Sequence, residues 1–385
     1  MKRTKVINNS RIIREIWIRR ETSRVEIARL LDLDKSTISL AVNNLIEKGM
    51  IVETTEGNSG PQGGRKPVFI KLNKTYGSVL GVEFRPGSYT AILVDMEGAI
   101  LATHTGRFSL KGSCFTDCLL GALKNLVKEF TSFGPQLLGI GVGLSGVVNA
   151  QVGIIKYSEP FGITSDYDFH KEIASQFDIP VFVENDANAC IWGELAFHRR
   201  KELKDFMFLL LEFMDVEPQK DVLCNRIGIG MGFVINGNVH YGTEYSAGEF
   251  RSILRNKESV GQLSLSKEDH SRLDTDPKVM ERFLRELFAH VGLIVNTLNL
   301  SHIILGGAFE QLGDLAKDIL EEEIKKNWPY PYPYEIKQNI WYSSFGERSV
   351  AFGSAGMVLN ALFGNQEILE GTSHTLNLRN SLMVF

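Results

Sequence analysis

The sequence predicts an α/β protein of two unequal parts, a small helical head closed by a β-hairpin and a larger body whose strands run into glycine turns. Three observations predict it. Residues 1–74 hold three amphipathic helical segments and then two short strands. Beyond them, apolar runs at 137–144, 227–235 and 303–305 are interrupted or ended by glycine, the mark of close backbone approach. The charge divides at the same place. Residues 1–74 carry 15 Lys/Arg against 8 Asp/Glu, a balance of +7, whereas 75–385 carry 27 against 38, a balance of −11.

At 385 residues the chain exceeds one ordinary domain. The expected division is 1–74, 75–195 and 196–385, with the C-terminal segment returning to the middle part. A composition of 43% hydrophobic and 23% charged residues excludes disordered and fibrous classes. No apolar run approaches the roughly 20 residues that span a bilayer, so no membrane association is expected. Charges scattered through the first 17 residues argue against a signal peptide, and a cytoplasmic protein is expected. The four cysteines, Cys114, Cys118, Cys190 and Cys224, are too sparse for a disulfide framework or a paired-cysteine zinc site.

In the head, Ile12, Ile13, Ile16 and Trp17 recur at helical spacing within residues 11–20. Ser23 and Glu26 fit a capping box that starts a second helix burying Ile27, Leu30 and Leu31. Asp34 is the expected N-cap of a third helix with Ile38, Val42, Leu45 and Ile46 on one side, stopped by Gly49. Residues 50–53 and 67–72 then read as the strands of a hairpin around a glycine-rich turn. Three helices and a hairpin make a winged helix-turn-helix.

Opposite the apolar side of the third helix lie Ser36, Thr37, Leu40, Asn43 and Asn44, with Lys35 in the first turn. Short polar groups in that setting can meet phosphates and base edges when the helix enters a major groove. Arg65 and Lys66, at the base of the wing, are placed to reach phosphate or a minor groove. The positive balance of this segment alone fits a polyanionic partner, operator DNA, although charge by itself also fits a solvated surface.

In the body, an apolar strand ending at Glu184 delivers Asn185 and Asp186 at its C-terminal end, where α/β sheets place their chemistry. Asp186 beside two amides can hold sugar hydroxyls or act as a general base, or one of these residues can simply cap the helix that follows. Glu249 offers a second carboxylate in a loop after Ala247-Gly248. The glycine-alternating segment 227–237 allows close approach to phosphate or to a neighbouring strand. The repeated strand-to-glycine turns suggest a nucleotide or sugar cleft.

These motifs resemble the ROK family of repressors, open reading frames and kinases, in its branch with an N-terminal winged helix. The segments that carry the resemblance are Gly63-Gly64-Arg65-Lys66-Pro67, Val183 to Ala189, Gly228 to Gly232, Ala247-Gly248-Glu249 and Leu305-Gly306-Gly307. The resemblance spans nearly the whole chain. It implies two actin-like, ribonuclease H-like lobes of the ATPase and sugar-kinase class closing over a sugar. It further implies that Gly146, Asn185, Asp186 and Glu249 bind that sugar, with Asp186 at the position of the kinases' base.

Two departures sharpen the expectation. Where kinase members carry a DxGGT phosphate loop, this sequence has Glu83-Phe84-Arg85-Pro86-Gly87-Ser88, so no kinase activity and no cofactor are expected. Where relatives carry Gly-His and a cysteine cluster that binds zinc, it has Phe250-Arg251-Ser252-Ile253, so no metal is expected. The sequence therefore predicts a non-enzymatic, sugar-responsive transcriptional regulator acting as a dimer or tetramer. An ATP-dependent sugar kinase with a DNA-binding head, or a regulator controlled by a protein partner, are the alternatives.

Overall fold

The computed structural model describes residues 2–56, 68–109, 114–132, 134–198, 203–213, 227–330 and 338–363. Arg65, Lys66 and Cys224 lie outside the described residues. Two compact units result: Met1–Asn185 with Ala196–Arg199 and Ala351–Phe385, and Asp186–Leu195 with Arg200–Val350.

The head comprises α1 (Lys2–Arg19), β1 (Glu21–Ser23), α2 (Arg24–Leu31), α3 (Lys35–Glu47), β2 (Ile51–Glu56) and β3 (Val68–Leu72). Ile12 and Ile16 of α1, Ile27 of α2 and Ile38 and Val42 of α3 are fully buried, which closes one small apolar core. Strand β3 pairs antiparallel with both β2 and the three-residue β1, giving the order β1-β3-β2. Strand β1 escapes a sequence reading because its three residues carry too little periodicity. Two local details also depart from expectation. Leu30 is 40% exposed rather than buried. The Ser23 hydroxyl accepts from Glu26 N at 3.2 Å, but the Glu26 carboxylate accepts from the Thr22 hydroxyl and from Arg19, leaving a cap with one of the box's two arms.

The first unit continues with β4 (Ser78–Arg85), β5 (Ser88–Asp95), β6 (Ile100–Arg107), α4 (Phe115–Phe130) and β7 (Leu137–Leu144). A small antiparallel sheet follows, β8 (Val147–Asn149), β9 (Ile154–Tyr157) and β10 (Tyr167–Asp168), then α5 (Phe169–Glu172) and β11 (Val181–Asn185). The five-stranded sheet runs β11-β7-β4-β5-β6, with β7 parallel to both β4 and β11 and the other pairs antiparallel. Alternation along β4 and β7 sends Leu80, Val82, Ile140 and Val142 into the core that α4 covers.

The second unit opens with α6 (Asp186–Gly193), after which the helix widens into a π-helical turn at Glu194–His198. Then come β12 (Phe206–Phe213), β13 (Ile227–Ile235), β14 (Asn238–Val239), α7 (Lys267–Arg272), α8 (Pro277–Leu298), β15 (His302–Gly307), α9 (Phe309–Leu312), α10 (Asp314–Asn327) and β16 (Asn339–Tyr342). Its sheet, β14-β13-β12-β15-β16, repeats the plan of the first: three antiparallel strands, then a fourth and fifth added parallel beside the first. Met207, Leu209 and Leu211 face the core shared with α8, while Phe206, Phe208 and Leu210 face α6.

Helix α11 (Ser349–Phe363) then returns to the first sheet. The face it meets has glycines where the other face has large aliphatics. A Cβ on Gly81 would stand 1.9 Å from the Ala351 carbonyl oxygen, and one on Gly141 would stand 2.1 Å from the Ser354 carbonyl oxygen. The close approach at Gly141 thus admits the backbone of α11. No helix among the described residues is long and apolar enough to cross a membrane.

The head is tied to this first unit. The Arg20 guanidinium, on a residue held at φ 65°, donates to the Phe197 carbonyl. Met96 N donates to the Lys74 carbonyl at 3.4 Å, and Lys71 lies 3.8 Å from Glu97.

Candidate functional site

On the head, the Asp34 carboxylate caps α3 by accepting from Thr37 N at 2.8 Å, from the Thr37 hydroxyl at 2.6 Å and from the Ser36 hydroxyl. These bonds, that of Ser36 foremost, hold the Asp34 carboxyl well below the usual carboxylate range. Ser36, Leu40 and Asn43, spaced four and three apart, form the exposed face of α3, and Leu40 is 70% exposed. Lys35 is exposed in the first turn, while Thr37 and Asn44 are half-buried at the flanks of that face. The structure adds a residue that the sequence did not single out: Arg24 donates to Asn43 Oδ1 at 3.1 Å and lies 2.8 Å from Glu53.

In the first unit, Asn185 ends β11. Its Nδ2 donates to the Gly146 carbonyl at 3.1 Å, so two of the expected sugar residues are joined directly. Gly146 adopts φ 149°, and a Cβ there would stand 2.4 Å from the Tyr157 carbonyl oxygen, which explains why only glycine fits.

In the second unit, Asp186 is the first residue of α6, and its Oδ1 accepts from Ala187 N at 2.7 Å. The carboxylate is buried, 8% exposed. Strand β13 passes beside it, since a Cβ on Gly230 would lie 3.4 Å from Asp186 Oδ1. The next residue, Met231, is where the second loop docks. Gly248, at φ 97°, leaves no room for a Cβ, which would sit 1.9 Å from the Met231 carbonyl oxygen. This close approach holds Glu249 to β13 next to the residue that flanks Asp186. Glu249 is open to solvent, yet the protein around it displaces enough water to push its carboxyl above the usual carboxylate range.

Residues 79–262 match the family model described as the ROK family. Residues 79–262, just under half of the chain, are therefore similar to the ROK family. The span contains Gly146, Asn185, Asp186 and Glu249. Among curated relatives, the xylose repressor of Bacillus subtilis (strain 168) is 27% identical over 246 residues, covering 64% of this chain and 59% of its own length. The chain thus spans under two thirds of that relative. The xylose repressor of Caldicellulosiruptor bescii is 23% identical over 411 residues, 94% of this chain and 98% of its own. Among solved structures, a ROK family transcriptional regulator described as a homologue of the E. coli MLC protein matches with TM-score 0.73 and 19% identity over 100% of both chains. A ROK glucokinase from Streptomyces griseus, in complex with glucose and AMPPNP, matches with TM-score 0.56 and 19% identity over 73% of this chain and 99% of its own. The structural matches establish the actin-like α/β fold of the ROK sugar kinases.

Two features of the matched span concern the segments 83–88 and 250–253. At the end of β4, Glu83 is 2% exposed and its Oε1 accepts from Arg85 Nε at 2.7 Å. Arg85 Nη2 lies 2.6 Å from the same oxygen. An ion pair therefore sits within the segment 83–88. After Glu249, hydrogen bonds fasten the segment to β13. Gln262 accepts from Ile229 N at 2.8 Å and donates to the Ile229 carbonyl at 2.8 Å and to the Phe250 carbonyl at 3.1 Å. Ser252 is buried and its N donates to the Gln262 carbonyl, so it packs the loop. Arg251 is exposed. No group of three or more His, Cys, Asp or Glu suited to a metal ion occurs among the described residues. Gln262 escaped the sequence reading because a lone glutamine carries no periodic or motif signal.

Proposed function

We propose that this protein is a sugar-responsive repressor of transcription, with residues 1–74 a winged helix-turn-helix that binds operator DNA and the rest an effector-binding body. The observation that carries the reading is a capped helix with an exposed Ser36-Leu40-Asn43 face, fused to a ROK domain that retains Asn185, Asp186 and Glu249. In this reading the two carboxylates accept from sugar hydroxyls, and the Asn185 amide both donates and accepts. The relatives named xylose repressors make a pentose the first effector to try.

Support against phosphoryl transfer comes from the Glu83–Arg85 pair. A phosphate loop works by turning several backbone N–H groups toward one anion. Here the side chains that would face such an anion are already committed to each other, and Pro86 has no N–H to offer. Asp186 then serves as a sugar ligand with no phosphoryl donor beside it.

The test is fluorescence anisotropy of the full chain on duplexes selected from a random pool, titrated with D-xylose, D-glucose and their phosphates. One sugar is expected to change DNA affinity by about fivefold or more, the usual size of an allosteric coupling. Intact DNA binding that no sugar alters would support a partner-controlled regulator instead. A rise in Tm with ATP would reinstate the kinase.

A further inference from the structure

We propose that Arg24 and Asn43 act as one donor-rich unit that reads guanine in the major groove, Arg24 being the positioning residue that sets what Asn43 can recognise. The proposal rests on the reading of the head as DNA-binding and extends it to the base it selects.

The geometry is specific. Asn43 lies on the exposed face of α3, in line with Leu40 and Ser36. An asparagine amide alone presents one acceptor and one donor group side by side, which matches adenine, whose major-groove edge offers the N6 donor and the N7 acceptor. In this protein that oxygen is turned to a donor of its own chain, which takes one of its two lone pairs. Arg24 Nη2, from the first turn of α2, donates to Asn43 Oδ1 at 3.1 Å. The same guanidinium is anchored on its other arm by Glu53 of β2, with Nη1 2.8 Å from the carboxylate. A planar guanidinium held at two points keeps a fixed orientation, as a lysine ammonium would not.

The consequence is a change of chemical sense. With Oδ1 turned to Arg24, the Nδ2 hydrogens remain for the groove, and the guanidinium hydrogens beside them are also donors. A surface of donors has its two-point partner in guanine, the base whose edge carries two adjacent acceptors, O6 and N7. Glu53 offsets the guanidinium charge, so Arg24 contributes little as a phosphate contact. Its effect falls on which base is chosen.

The experiment is selection of binding sites by the full chain from a random duplex pool, repeated with Asn43→Ala, Arg24→Ala and Arg24→Gln, with Tm recorded for each variant. Asn43→Ala identifies the base pair that Asn43 reads, by losing preference at one position. The wild type is expected to prefer guanine there, and Arg24→Ala to turn that preference to adenine by about tenfold, other positions being unchanged. The dependence of affinity on salt should keep its slope. Arg24→Gln, which retains an N–H donor for Oδ1, should restore part of the guanine preference. The proposal is overturned if Arg24→Ala leaves the Asn43 position unchanged, or if it weakens all sequences alike and lowers the salt slope by about one, as loss of a phosphate contact would. Failure of the wild type to enrich any sequence would overturn the DNA reading itself and this proposal with it.

Discussion

Under the proposed function, Glu249 couples the chemistry of the sugar site to pH. Its carboxyl is raised by desolvation from the usual 4.5, so between that value and its raised one the folded chain holds a proton that the unfolded chain has released. Stability from this group is therefore present at low pH and declines as pH rises through that window. Sugar hydroxyls donating to the carboxylate favour the ionised form, so effector affinity should fall as pH drops through the same window. Glu249→Gln removes the desolvated charge and is expected to keep or raise Tm at pH 7 while weakening sugar binding about 10- to 100-fold, the worth of a hydrogen bond to a charged group. Calorimetric titration with the effector checks this, and undiminished affinity in the variant would remove Glu249 from the site. At this scale the sequence was legible where the chemistry is local. Ser23 and Asp34 cap helices three residues away, as their spacing indicated. The Arg24–Asn43 bond, across 19 residues, depends on how α2 and α3 cross, which no local pattern encodes.

At the scale of elements, the helices and most strands could be read because their burial follows a 3.6- or 2-residue period, whereas the purpose of the glycines could not. A glycine in a buried strand reports only that something comes close. On β4 and β7 that something is α11, more than two hundred residues later in the chain for Gly141. On β13 it is α6, with a Cβ at Gly232 falling 2.6 Å from Ile191. At Gly81 and Gly141 the groove lets a helix backbone lie against the sheet, so adding one methyl should be costly. Gly81→Ala would drive its Cβ into the Ala351 carbonyl and Ala355 N of α11, both backbone atoms. The expected loss is about 3 kcal/mol, at the upper end for overpacking, because backbone cannot rotate away as a side chain can. Urea denaturation should register it as a lower midpoint with an unchanged m-value. A variant as stable as the wild type would mean that α11 does not depend on this groove.

Over the whole molecule, the charge division and the two repeated sheets assign different work to different parts of the chain. A head with a balance of +7 favours a polyanion, while a body at −11 does not. The boundary between compact units was less legible than the charge, since the chain passes from one to the other at Asn185 and Asp186, inside the motif that the sequence singled out for chemistry. A strand and the helix after it read as one supersecondary element, and nothing in their composition marks a division there. If effector and DNA act on one equilibrium of this chain, thermodynamic linkage fixes a relation that holds whichever way the effector works. The factor by which sugar changes DNA affinity must equal the factor by which DNA changes sugar affinity. Measuring sugar affinity by calorimetry with and without saturating DNA, and DNA affinity by anisotropy with and without saturating sugar, gives both numbers under one buffer. A matched pair, each about fivefold or greater, is expected. Two factors of one would leave the sugar site without influence on the head.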